Sequence, residues 1–133
     1  MIKKSLLTIV LIVASLVAVN AQSHTYRVYA ELEESEPIFS TRINVSINYG
    51  QSKTSSNNHN ILVNEKGHEI KFNSMIDAIN YLSQVGWRLS HTFVEPQVSG
   101  NSTKYVTRWI IYKDVTNERQ ITEGFMTKDT YKK

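Results

Sequence analysis

Four histidines, His24, His59, His68 and His91, are the side chains of this 133-residue chain best suited to moving protons near neutrality. Hydrolysis by an activated nucleophile also needs a partner hydroxyl and an orienting group. No Gly-x-Ser-x-Gly elbow, His-Glu-x-x-His pair, calcium loop or phosphate-cradling glycine loop occurs. His59 falls in a polar run and His68 beside a turn, so both read as solvated. His91 alternates with Trp87, Leu89 and Phe93 and reads as a buried or half-buried structural imidazole. Glu33, Glu34 and Glu36 crowd beside Pro37, the composition of a solvated turn. With no cysteine, thiol nucleophiles, disulfide exchange and Cys-based zinc sites are excluded. The expectation is a chain with no catalytic residue and no cofactor; the alternative is a small periplasmic hydrolase or metal-handling protein.

Export is written into the first 21 residues. Lys3 and Lys4 supply a positive start, Leu6 to Val19 is almost unbroken Leu, Ile, Val and Ala, and Val19-Asn20-Ala21 suits a peptidase cut ahead of Gln22. The apolar run is shorter than the roughly 20 residues a membrane span needs, and no cysteine follows it to take a lipid. A secreted or periplasmic product with no stable membrane anchor is expected. Cleavage there would leave Gln22-Ser23-His24 as the new terminus, where an amine, two backbone amides and an imidazole suit square-planar Cu(II) or Ni(II). His24 is the one metal candidate, and cyclisation of Gln22 would remove its amine.

The net charge of +3 falls to +1 once Lys3 and Lys4 leave, and the remaining charges are interspersed. Such a chain has no basic patch to attract nucleic acid. Without disulfides, the mature domain must hold together by core burial alone, which is feasible at this length.

Two-residue alternation marks the strands. Tyr26, Val28, Ala30 and Leu32 form one apolar face, and Ile43, Val45, Ile47 and Tyr49 a second, so the two segments should pair antiparallel. Residues 51–60, mostly Ser, Thr, Asn and Lys, read as a loop; Ile61 to Phe72 reads as a short hairpin turning at Gly67. Ser74 and Asp77 make a capping-box variant before Met75, Ala78, Ile79 and Leu82, one helical stripe that Gly86 ends. Trp87 to Phe93 and Tyr105 to Tyr112 are the last two strands; large apolar groups on both faces of the latter leave its buried side open. The fold expected is α+β, an antiparallel sheet of four main strands in the order β-β-hairpin-α-β-β with one helix across one face. Residues 22–113 make the domain, and 114–133, lacking sustained periodicity, a loosely attached tail.

The run Phe72-Asn73-Ser74-Met75-Ile76-Asp77-Ala78-Ile79-Asn80-Tyr81-Leu82, continuing to Gly86-Trp87, resembles the core of small exported bacterial domains of unknown function, in which a helix ending in Gly-Trp leads into a terminal hairpin. The Ile43 to Gln51 strand and the Asn64-Glu65-Lys66-Gly67 turn resemble them too, so the likeness covers most of Tyr26 to Lys113. It implies a fold and export but no activity. Arg88 departs from the pattern, standing where an acidic residue is more usual.

If the helix covers Val28, Leu89 and Trp109, alternation sends Tyr29, Arg88, Arg108 and Tyr112 to the opposite side, with Arg27, Thr92 and Ile110. Tyrosine and arginine combine contact area with directional hydrogen bonds and are common interface anchors. These four are the interaction candidates, and the expected partner is a protein, a glycan or a second copy of the chain.

Overall fold

A computed structural model describes Lys3 and residues 23–35, 37–52 and 60–131. The export segment over residues 1–21 (Lys3 aside), His59 and Glu36 therefore lie outside the described residues. Among the described residues no helix is long and apolar enough to cross a membrane.

The elements are β1 (Tyr26–Ser35), β2 (Asn44–Asn48), β3 (Leu62–Val63), α1 (Met75–Ser83), β4 (Arg88–Ser99), β5 (Ser102–Val115), a 3-10 turn (Glu118–Ile121), β6 (Met126–Thr127) and the short α2 (Lys128–Tyr131). Four strands form one antiparallel sheet in the order β2-β1-β5-β4, and β3 pairs with β6. The register sets Ala30 opposite Ile111 and Leu32 opposite Trp109 and Ile47. These apolar residues share one cluster with Met75, Ala78 and Leu82 of α1, with Phe72 and with Trp87. The open question about β5 is thereby resolved: Trp109 and Ile111 face the core.

Local chemistry fixes the helix at both ends. The Asp77 N–H donates to Ser74 Oγ at 3.3 Å and the Asp77 carboxylate accepts from the Asn73 N–H at 2.9 Å. At the other end Trp87 N–H donates to Leu82 O and Gly86 N–H to Ser83 O, the paired bonds of a Schellman stop, with Gly86 at φ 97. A Cβ on Gly86 would also come within 3.1 Å of the Lys113 stem. The stop delivers Trp87 into the core at 1 % exposure, with no hydrogen-bond partner for its indole N–H among the described residues.

The segment after Lys113 is not a loose tail. Val115 and Thr127 are buried, Phe125 joins the main cluster, and β6 pairs with β3. Glu69 fastens it further, accepting from Lys128, from Lys71 Nζ at 3.1 Å and from Asn44 Nδ2 at 2.6 Å. Lys128 most strongly, and then Lys71, hold the Glu69 carboxyl below its ordinary value. Here single apolar residues fill gaps left by α1 and β3, so no repeat period exists to be read.

Candidate functional site on the open sheet face

The face of β1, β4 and β5 turned away from α1 carries Arg27, Tyr29, Glu31 and Glu33 from β1, and Arg108, Ile110, Tyr112 and Asp114 from β5. Two-residue alternation puts them there because Val28, Ala30, Leu32, Trp109 and Ile111 take the other side. Tyr29 and Tyr112 stand directly opposite, ring centroids 6.5 Å apart. The Arg27 guanidinium lies 4.2 Å from the Tyr112 ring centre and grips Asp114 through two bonds of 2.8 and 3.1 Å. That grip holds Arg27 above and Asp114 below its ordinary pKa. Arg88 sits opposite Tyr112 on the next strand, and its charge also reaches Asp114.

The other end of the face is acidic. Arg108, its side chain 17 % exposed, donates to Glu95 at 2.7 Å and to Glu31 at 2.9 Å, with Glu33 3.8 Å away. Three carboxylates from β1 and β4 thus converge on one guanidinium and keep it charged, Glu95 contributing most. All four sequence candidates lie on this face, but Arg108 is a cross-strand tie rather than a side chain open to a partner. Tyr29, at 56 % exposure, is the most open of the aromatic pair.

His91 does not share a face with Leu89. The ladder between β4 and β5 shifts register between them, so Leu89 faces Ile111 on the core side whereas His91 faces Ile110 on the open side. Its ring is exposed, stacks on Phe93 with centroids 6.3 Å apart, and lies 3.0 Å from Ser90 Oγ. The same bulge moves Thr92, expected beside Arg88, to the side of its partner Trp109. Ser90 and His91 are a hydroxyl and an imidazole in hydrogen-bond reach, but no carboxylate orients the ring among the described residues and no described cavity includes the pair. His24 is exposed, and no cluster of three metal-ligating side chains forms among the described residues.

Two features escape the sequence reading. Ile38 and Phe39 project at the β1–β2 turn, almost fully exposed, with Phe39 at φ 66. That is a conformation β-carbon sterics disfavour. An apolar pair after Pro37 inside a polar stretch was the available signal. The second is a cleft of about 760 Å³ between the 64–67 turn, α1 and β6, floored by Val63, Ile70, Tyr81, Phe125 and Met126. Burial, helped by the Glu65 carboxylate, raises the Tyr81 phenol above its ordinary value. Its walls come from segments distant in sequence, so no local motif announces it.

Comparison with known proteins adds no relative: no family model, no curated protein and no solved structure matches this chain.

Proposed function

We propose that this chain is an exported α+β domain without catalytic function, related to small exported bacterial domains, which recognises a protein or glycan partner through its open sheet face. One observation carries the reading: Tyr29 and Tyr112 stand side by side, flanked by Arg27 and Arg88, on a face that α1 does not cover. Flat rings bordered by guanidinium groups offer a partner apolar contact and charged hydrogen bonds at once, with side chains already partly ordered by their neighbours. The acidic end around Arg108 would fix the partner's orientation by repelling anions. Burial of the domain's own apolar residues is concentrated on the other side, so this patch is free to change without loss of fold.

The test is a double variant, Tyr29→Ala with Arg88→Ala, which spares the Arg108 tie. Its thermal midpoint should match the parent's, while binding to a glycan array and to separated envelope proteins of the native host drops at least about tenfold, the effect of losing one anchor residue. Undiminished binding by a folded variant would place recognition elsewhere.

A further inference from the structure

The sheet has two edges, and they are treated differently. The outer side of β2 is covered, since Ser46 bridges Ile61 and Ile43 bridges Phe72. Among the described residues β4 has no strand beyond it, and along its twelve residues only Glu95 is even partly covered. Beyond Trp109, where pairing of β1 with β5 stops, β4 and β5 continue as a two-stranded arm. Phe93 is 43 % and Val94 61 % exposed on its opposite faces. A long bare edge with apolar side chains is a template for another strand.

The sequence of that edge is self-complementary. An antiparallel pair of identical strands about a two-fold axis at Phe93 sets His91 of each copy opposite Glu95 of the other, Phe93 opposite Phe93, and Thr92 opposite Val94. His91, Phe93 and Glu95 all lie on the open face, so the pairing gives two imidazole–carboxylate contacts flanking an aromatic centre. The same axis sets Pro96 of one copy opposite the bulge at Ser90 of the other. The two places where the edge cannot pair regularly then coincide and bound the paired stretch. Moving the axis to Val94 carries Pro96 inward against Thr92, and moving it to Glu95 sets like charges face to face. We infer that β4 is a dimerisation edge, pairing residues 91–95 of two copies into one eight-stranded sheet whose open faces are continuous. The occupant is a second copy because the His91–Phe93–Glu95 order complements itself, setting an imidazole N–H donor of each copy against a carboxylate acceptor of the other. The inference concerns the edge and stands whether or not the Tyr29–Arg88 patch takes a partner.

The absence of cysteine from the whole chain makes the test direct. In Phe93→Cys the two thiols meet at the axis, within the Cα separation a disulfide requires. In Val98→Cys they stand about 33 Å apart, ten residues along the paired strands. Under mild oxidation Phe93→Cys should give a covalent dimer at least about tenfold faster than Val98→Cys. Sedimentation of the cysteine-free protein should show reversible dimers, retained by His91→Lys and lost in His91→Glu, which opposes Glu95 with its own charge. The Tyr29→Ala, Arg88→Ala protein should still dimerise. Equal oxidation rates, a dimer indifferent to His91→Glu, or a monomer up to about 1 mM would each overturn the inference.

Discussion

β1 and β5 present opposite chemistries on their two sides. On the covered side Ala30, Leu32 and Ile111 are almost wholly out of water and share one apolar cluster with Met75, Ala78 and Leu82 of α1, Phe72 and Trp87. On the open side the same strands carry Arg27 with Asp114 and Arg108 with Glu31 and Glu33, joined by Glu95 of β4, charges that meet each other across strands at or near the surface. Exposed ion pairs contribute little, with a median of about 0–1 kcal/mol, whereas each large buried side chain contributes about 1.5–3 kcal/mol. The difference teaches where selection for folding can act. One side holds the apolar cluster, and the other orders its side chains by ion pairs and ring contacts.

The sharpest way to break this contrast is at the covered side. Trp87→Ala and Phe125→Ala should each cost about 3–5 kcal/mol in denaturant titration, since each empties a buried aromatic site. The Phe125 variant is the more informative, because a loss below about 1 kcal/mol would detach the residues after Lys113 from the core. A middle effect is expected at Glu69, whose charge cluster ties β2 to the residues after Lys113. Glu69→Gln should cost about 1–2 kcal/mol at neutral pH and should also flatten the acid limb of the stability curve. In the parent the folded-state pKa of Glu69 lies below the unfolded one. Its contribution is therefore complete above the unfolded value and drains as pH falls through the folded value. Midpoints measured from pH 7 downward should converge between parent and variant. The smallest effect belongs to the open side: Tyr29→Ala should move stability by less than about 0.5 kcal/mol. A larger loss would mean that the open face is structural after all.

How far the sequence could be read follows the range of its signals. Alternation over Tyr26 to Glu33 and Ile43 to Tyr49, and the Ser74 to Gly86 helix with both its stops, are local patterns, and they revealed the sheet's first pair and the helix. The side occupied by Tyr29, Arg88, Arg108 and Tyr112 followed from the same alternation. The bulge at Ser90 left no mark, because Leu89, His91 and Phe93 keep a strand's rhythm straight through it; His91 was therefore expected on the core side. Nor could the carboxylates around Arg108 be foreseen, since Glu31 lies 77 residues away and reaches it only through strand order. The two-residue strands β3 and β6 are too short to hold a period at all.

The place of β1 in the sheet bears on the order in which the chain can assemble. It precedes every other described strand, yet its longest partnership is with β5, and Arg27 waits for Asp114, 87 residues further on. A chain emerging N-terminus first from a ribosome therefore carries this inner strand with only β2 beside it until β5 has followed. Such long-range closure slows folding. The topology itself delays the finished sheet until its last long strand arrives.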